Sequence, residues 1–189
     1  MSVPQPKLPH LANRAEYRAW TAAQPRGRFE RIAGEVVAMA PERIAHVRVK
    51  ARLWQALDRA IQDAGLLCDA LPDGVTVEVG EDTDYEPDAV VNCGAPIPGD
   101  AIAAPNPLIV AEVLSPSTRS VDSGAKLADY FRLSSVMHYL ILRADRPQVI
   151  HHRRNGPSLL TEIVTTGALS LDPPGITIGI DEIYAPPMR

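Results

Sequence analysis

Two apolar segments that each carry a carboxylate constrain the fold of this chain more than any other feature. The first segment spans residues 85–91 (YEPDAVV), and the second spans residues 108–114 (LIVAEVL). Both patterns are typical of buried β-strands, where an unpaired carboxylate costs on the order of several kcal/mol or is neutralised by protonation. We therefore expect Asp88 and Glu112 to lie close together and to face each other across a bound metal ion.

The two carboxylates predict a particular kind of metal site. Mg²⁺ and Mn²⁺ prefer oxygen ligands, and one or two carboxylates leave room for water and for substrate phosphates. Such an ion activates water and polarises a phosphoryl oxygen. Lys126, on a helix predicted over residues 121–133, would orient that water or neutralise charge that develops on the phosphoryl group. Glu35, on an upstream strand, is a further candidate carboxylate.

Hydrophobic periodicity predicts an α/β protein with a mixed β-sheet flanked by helices. Strands outnumber helices, and the connections are too long for a regular array of βαβ units. We predict an N-terminal arm with a short helix over residues 1–28 and a single domain over residues 29–185. Within that domain, residues 29–39 predict a hairpin that turns at Ala33 and Gly34. The other predicted strands span residues 75–79, 138–142, 148–153, 159–165 and 176–180.

The longest predicted helix covers residues 44–64 and has an apolar stripe at spacings of three and four. The members of this stripe are Val47, Ala51, Trp54, Leu57 and Ile61. The basic residues between them are interpreted as solubilising side chains, and they are Arg48, Lys50, Arg52 and Arg59. His46 lies at the start of this helix, and the sequence leaves open whether its side chain reaches the carboxylates.

Composition and charge restrict the classes of protein. Aromatic residues make up only 5% of the chain, which argues against a series of stacking platforms for single-stranded nucleic acid. The net charge of −4 argues against broad binding to polyanions, although it does not exclude a local basic cleft. No apolar run approaches the roughly 20 residues that span a bilayer, and no secretory signal is recognisable. We expect a soluble cytoplasmic protein in which Cys68 and Cys93 are free thiols.

Other types of chemical site are not indicated. Histidine and cysteine do not cluster at the spacing of zinc ligands, and neither a glycine-rich phosphate loop nor a serine nucleophile elbow is present. The pair His151 and His152 lies on a predicted strand, where adjacent side chains point to opposite faces. We therefore do not expect these two histidines to bind one metal together.

Three motifs around the candidate site resemble a known family. The chain has PD at residues 87–88, EVLSPS at residues 112–117 and KLADY at residues 126–130. These motifs are similar to those of the bacterial putative restriction endonuclease family (Uma-type), within the PD-(D/E)XK nuclease superfamily. The resemblance extends over residues 29–184, and EVLSPS is its most specific part.

The resemblance implies a restriction-endonuclease-like α/β fold and a Mg²⁺-dependent phosphodiesterase site. Carried over residue by residue, Asp88 and Glu112 become the metal ligands and Glu35 a helper. The superfamily usually has lysine two positions after the glutamate, where this chain has Leu114. In this family the lysine looks relocated to the following helix, and Lys126 is the matching residue. The long, flexible stem of lysine allows it to reach the same point.

The leading hypothesis is therefore a metal-dependent endonuclease that hydrolyses DNA, acting as a homodimer as nucleases of this fold often do. One alternative is a DNA-binding or regulatory module that keeps the fold and the metal but cleaves poorly. Another alternative is a hydrolase of some other phosphoester. The acidic net charge slightly favours the binding or regulatory module over the endonuclease, because binding to duplex DNA relies on neutralising phosphates.

Overall fold

The structure of the chain is a computed structural model, which describes residues 8–114 and 122–185. The helices in these residues are α1 (Arg14–Ala22), α2 (Ile44–Asp63), α3 (Asp122–Tyr130) and α4 (Ile180–Tyr184). The first six strands are β1 (Phe29–Ile32), β2 (Glu35–Ala38), β3 (Cys68–Pro72), β4 (Val77–Val79), β5 (Thr83–Tyr85) and β6 (Ala89–Cys93). The remaining strands are β7 (Pro107–Leu114), β8 (His138–Arg143), β9 (Val149–Asn155), β10 (Ser158–Val164), β11 (Ala168–Leu171) and β12 (Ile176–Gly179).

A six-stranded mixed sheet forms the centre of the fold, as predicted. Its strand order is β10-β9-β8-β7-β6-β3, with β7 and β8 parallel and the other neighbours antiparallel. One face packs against α2, α4 and the small β11–β12 sheet. The other face packs against α3 and against a second, four-stranded sheet with the order β2-β1-β5-β4. The predicted fold class, a mixed sheet flanked by helices, is confirmed.

The predicted hairpin turns where expected. Ala33 and Gly34 connect β1 to β2 and both have positive φ angles, of 49° and 81°. A two-residue turn of this kind matches the twist of the strands and favours glycine. The ring of His10 packs against this turn, so that a Cβ on Gly34 would lie 2.7 Å from His10 Nε2.

The segment 85–91 is not one strand, contrary to the prediction. The chain ends β5 at Tyr85 in the small sheet and begins β6 at Ala89 in the central sheet. Pro87 lies between the two strands, and proline has no N–H with which to continue a ladder. Asp88 therefore stands at the point where the chain crosses from one sheet to the other, and its own N–H bonds to the Ala111 carbonyl at 3.0 Å.

The buried face of α2 is rotated from the predicted stripe. Val47 is 45% exposed and Ala51 is exposed, although both were predicted to be inward. Lys50 is buried rather than solubilising. The buried residues of this helix are His46, Val49, Lys50, Leu53, Ala56, Leu57 and Ile61. Among the described residues, no helix combines the length and the apolar character required to cross a membrane.

The N-terminal helix packs onto the small sheet through a buried arginine. Arg31 on β1 is fully buried and pairs with Asp84 on β5 at 2.6 Å. The same guanidinium donates to the carbonyl oxygens of Leu11 and Ala12, which precede α1. Arg14 on α1 also pairs with Asp84, at 2.7 Å. These contacts join residues 8–28 to the rest of the fold, and residues 1–7 of the predicted arm lie outside the described residues.

The two cysteines form a disulfide, so the expectation of free thiols is wrong for this structure. Cys68 on β3 and Cys93 on β6 are directly opposite in the antiparallel register, with their Cα atoms 4.0 Å apart. The periodicity of residues 68–72 predicts no strand there. The pairing of β3 with β6, which sets Cys68 opposite Cys93, was therefore not predicted either.

Candidate functional site

A cleft of about 280 Å³ collects most of the predicted site residues. It lies between the β1–β2 hairpin, the start of α2 and the adjoining ends of β6 and β7. Its polar lining consists of Glu30, Glu42, Arg43, His46, Asp88, Glu112 and Lys126. Its apolar lining consists of Val37, Ala38, Met39, Ala40, Pro41, Val113 and Leu114.

The register of β6 and β7 brings the two carboxylates to the same face of the sheet. Val90 pairs with Val110, and Ala89 pairs with Ala111. One further step along this ladder sets Asp88 opposite Glu112, on the face shared with Val90 and Val110. The predicted juxtaposition of the two carboxylates is therefore present in the geometry.

Asp88 is held rigidly at the end of β7. Its side chain is 7% exposed, and its Oδ2 atom accepts the backbone N–H of Val113 at 2.7 Å. His46 Nε2 lies 3.4 Å from the same oxygen. A carboxylate fixed in this way needs little reorganisation to bind a ligand.

Glu112 has a perturbed pKa. Its Oε1 atom accepts hydrogen bonds from Lys126 Nζ at 3.0 Å and from the Tyr130 hydroxyl at 2.9 Å. Burial raises the pKa of Glu112 to about 7, the charge of Lys126 opposes that rise, and the nearby carboxylates of Glu30 and Asp88 add to it. A buried carboxylate close to other carboxylates creates a site where a cation is favourable.

Lys126 lies between two carboxylates and is almost completely buried. Its Nζ atom is 3.0 Å from Glu112 Oε1 and 2.9 Å from Glu30 Oε1. The ammonium also lies 4.9 Å from the centre of the Tyr85 ring. Helix α3 thus places Lys126 beside Glu112.

Glu35 lies outside this cluster. The upstream carboxylate that lies in the cleft beside Lys126 is Glu30 instead. Glu35 is exposed at the start of β2 and does not line the cleft. Glu30 is buried on β1, where its Oε1 atom also accepts the Glu86 N–H at 3.0 Å. Glu30 could have been predicted from the pattern used for Glu112, a carboxylate inside a predicted strand. In β1, however, the next residue is the charged Arg31, so the strand does not have the apolar character of β7.

His46 reaches the cleft and adds a nitrogen ligand. Its Nε2 atom donates to the Val113 carbonyl at 2.6 Å, while its buried Nδ1 has no hydrogen-bond partner among the described residues. Glu42 Oε2 is the charged atom near Nδ1, at 3.5 Å. Burial lowers the pKa of His46, but the hydrogen bond and charge of Asp88 and the charge of Glu42 outweigh burial, so the pKa is raised.

The donor atoms in the cleft fit a divalent metal ion. Asp88 and Glu112 offer hard oxygen ligands, and the pKa of Glu112 is raised mainly by burial, with a smaller contribution from the nearby carboxylates of Glu30 and Asp88. Potential ligand atoms of Glu42, His46 and Asp88 also lie within 4.8 Å of one another. The chemistry of these donors suits Mg²⁺ or Mn²⁺, with water completing the coordination.

Comparisons with known proteins identify the family and the fold. The family model described as "Uma2: Putative restriction endonuclease" matches residues 14–181. The chain is 25% identical over 186 residues to the uncharacterized protein slr1290 of Synechocystis sp., covering 97% of this chain and 94% of that protein. It also superimposes, with a TM-score of 0.67 and 15% identity, on a putative nuclease belonging to DUF820 from Anabaena variabilis, covering 87% of this chain and 95% of the other. That last similarity shows a shared fold.

Proposed function

Because this chain belongs to the Uma2 family of putative restriction endonucleases, we propose that it is a metal-dependent endonuclease that hydrolyses DNA phosphodiester bonds. The observation that carries the proposal is the pair formed by Asp88, directly before β6, and Glu112, on the adjacent strand β7, in one cleft with Lys126 bonded to Glu112. Two acidic ligands can hold a metal ion that activates water, and a lysine beside them can stabilise negative charge that develops on the phosphoryl group.

Asp88 and Glu112 would hold a Mg²⁺ or Mn²⁺ ion. When bound, that ion lowers the pKa of a coordinated water and polarises a phosphoryl oxygen. The protein's own part is positional. The Val113 N–H orients Asp88, and the Tyr130 hydroxyl orients Glu112. Both hydrogen bonds come from buried or nearly buried elements, which keeps the ligands in place before substrate arrives.

Lys126 would supply positive charge next to the scissile phosphate. Its ammonium is fixed by Glu112 and Glu30, so it does not have to be immobilised during the reaction. A preorganised cation in a site from which water is excluded stabilises developing negative charge more strongly than one in water. In this proposal Glu30 is a positioning residue for Lys126.

The charge of the cleft favours one competing function. Four carboxylates line the cleft against the cations of Lys126 and Arg43 and the imidazole of His46. Together with the net charge of −4, this lining disfavours tight binding of a polyanion. The second candidate is a nuclease-fold module that binds DNA or regulates without appreciable cleavage, and this lining favours its regulatory form over its DNA-binding form.

We further propose that the protein acts in the cytoplasm as a homodimer, since two sites are needed to cut both strands in one encounter. A cytoplasmic location would expose the Cys68–Cys93 disulfide to reducing thiols. Sedimentation velocity with and without DNA measures the assembly, and thiol titration of protein purified without oxidants measures the state of the cysteines.

The proposed activity is tested by incubating the wild-type chain with supercoiled, linear, single-stranded and branched DNA. Each substrate is tested with Mg²⁺, with Mn²⁺ and with EDTA. We expect cleavage of at least one substrate with metal and none with EDTA. Absence of cleavage on every substrate, by protein that is folded and binds Mn²⁺, would favour the binding or regulatory module instead.

Glu30 and Glu35 give a matched test of which upstream carboxylate belongs to the site. We expect Glu30→Gln to lower the cleavage rate by about 10- to 100-fold, because Lys126 loses the charge of one of its two partners. Glu35→Gln should leave the rate within about 2-fold, because exposed positions away from a site tolerate substitution. Single-turnover rates on the preferred substrate measure both. A larger effect of Glu35→Gln than of Glu30→Gln would contradict this assignment.

A further inference from the structure

Lys50 is a buried ammonium surrounded by carboxylates at the edge of the cleft. Its Nζ atom lies 2.6 Å from both oxygens of Glu42 and 2.9 Å from Asp73 Oδ2. It also lies 3.7 Å from Asp88 Oδ1, the oxygen that is not bonded to the Val113 N–H. Three carboxylates therefore surround Lys50, and Arg28 Nη1 also pairs with two of them, at 2.5 Å from Asp73 Oδ2 and 3.3 Å from Glu42 Oε1.

The groups around this ammonium are those of a cation site. Potential ligand atoms of Glu42, His46 and Asp88 lie within 4.8 Å of one another. His46 is 9% exposed, and its Nδ1 atom, near Glu42, has no hydrogen-bond partner among the described residues. A carbonyl oxygen only accepts, so the Nε2 atom that contacts Val113 carries the proton, and neutral His46 presents a lone pair at Nδ1.

We propose that the ammonium of Lys50 takes the place of a second divalent cation, so that this chain binds one metal ion where Glu42, His46 and Asp88 would otherwise hold another. Two-metal phosphodiesterases place their ions roughly 3.5–4 Å apart, bridged by a shared carboxylate. Asp88 is the residue that could be shared here. Lys50 meets one of its oxygens, while the other faces Val113 and His46.

The surrounding charges hold Lys50 in this position. Its ammonium is bonded to both Glu42 oxygens and to Asp73 Oδ2, and it also lies near Asp88 Oδ1. A divalent ion entering among Glu42, His46 and Asp88 would meet a fixed positive charge already bonded to both Glu42 oxygens. Coulomb repulsion at such short range and partial burial disfavours simultaneous occupancy.

The proposal rests on the proposed function only for the position of the first ion. Its own prediction is a difference in stoichiometry between two forms of the protein. Removing the charge of Lys50 should open the second position, whatever the wild type does to DNA.

The experiment counts Mn²⁺ ions per chain by electron paramagnetic resonance titration of the full-length protein. We expect wild type to bind one ion and Lys50→Met to bind two. Arg48→Met removes an exposed cation from the same helix, and it should bind as wild type does. Lys50→Arg keeps the charge and should also bind one ion. His46→Gln in the Lys50→Met background should weaken binding of the added ion by at least about 10-fold, because loss of a ligand costs no less than loss of an outer-shell partner.

Thermal unfolding provides a second readout, because Lys50→Met leaves three carboxylates near one another without their shared lysine. Its melting temperature should fall in EDTA and rise with Mn²⁺ by more than that of wild type. Two ions in the wild type would overturn the proposal. Equal numbers of Mn²⁺ ions bound by wild type and by Lys50→Met would also overturn it. So would a melting temperature of Lys50→Met that Mn²⁺ fails to raise. Failure of the proposed function would look different, as a wild type that binds no ion or cuts no DNA.

Discussion

Asp88→Asn is expected to reduce metal-dependent cleavage by at least about 1000-fold, equivalent to about 4 kcal/mol of transition-state stabilisation. The amide oxygen of asparagine can still accept the Val113 N–H bond that Asp88 accepts now. The fold should therefore persist, while the negative charge that attracts the metal ion is lost. The same substitution should weaken Mn²⁺ binding, which gives a readout independent of cleavage.

The control for this variant is Asp69→Asn, which removes an exposed carboxylate on β3, a neighbour of β6 in the central sheet. Initial rates on the preferred substrate are compared across wild type and both variants, with circular dichroism and thermal melts to establish folding. Asp69→Asn should cut as wild type does. A folded Asp88→Asn that cuts within about 10-fold of wild type would remove Asp88 from the metal site, since loss of a ligand costs more than that.

The strongest local patterns in the sequence predicted the parts of the site that lie on regular elements. Strand β7, helix α3 and the β1–β2 turn were all predicted, because each has a hydrophobic period or a turn signature of its own. Period-two alternation alone explains why Asp88 and Glu112 reach one face once β6 and β7 are neighbours. His151 and His152 also diverge as predicted, since His151 bonds His138 and His152 bonds Thr161.

Buried polar residues caused the errors on α2. The predicted apolar stripe began with Val47 and Ala51 and ran to Ile61, but the buried face of the first turns contains His46 and Lys50 instead. The partners of these two residues lie on other elements, at Asp73, Asp88 and Val113. Periodicity registers only apolar character, so a helix that buries charge is oriented incorrectly by it.

The same limit explains the exchange of Glu35 for Glu30. The sequence of a four-residue strand does not indicate which face its single glutamate occupies. Glu30 is identified as the site residue only by its contact with Lys126, which is 96 residues away in sequence. Strand β3, β11 and the five-residue helix α4 were missed for a simpler reason. Each is too short to establish a period, and packing on the central sheet stabilises them.

The buried pair His138 and His151 is expected to make the free energy of unfolding strongly dependent on acidic pH. His138 and His151 are almost fully buried on β8 and β9, with His138 Nδ1 and His151 Nε2 2.8 Å apart. His138 Nε2 donates to the Pro173 carbonyl, so its Nδ1 accepts and His151 Nε2 donates. A proton on His138 Nδ1 would set two N–H groups against each other and break this bond.

The pKa values of both histidines are lowered to about 4. Burial is the main cause for each, and the charge of Arg153 also contributes to each. His151 opposes protonation of His138, and His152 opposes protonation of His151, while Asp172 favours protonation of His138. Glu162 and Asp172 line the small cavity beside His151. The acidic neighbours therefore do not offset burial.

The sign of the pH effect follows from these directions. An unfolded histidine has a pKa of about 6.5, so between about pH 6.5 and pH 4 the unfolded chain binds more protons than the folded chain. Stability from the pair is complete above about pH 6.5 and is lost as the pH falls toward 4. At pH 5 the expected loss is about 2 kcal/mol for each histidine.

Glu112 has the opposite effect on the pH dependence of stability from that of the two histidines. Its folded pKa is raised to about 7, so its own contribution to stability increases as the pH falls from 7 toward its unfolded pKa. The pH dependence of wild type alone therefore mixes two effects of opposite sign. Urea unfolding of wild type and His151→Gln at pH 7.5 and pH 5 separates them, because Glu112 is common to both. We expect wild type to lose about 2 kcal/mol more than His151→Gln over this range. Equal losses would mean that the buried pair does not resist protonation.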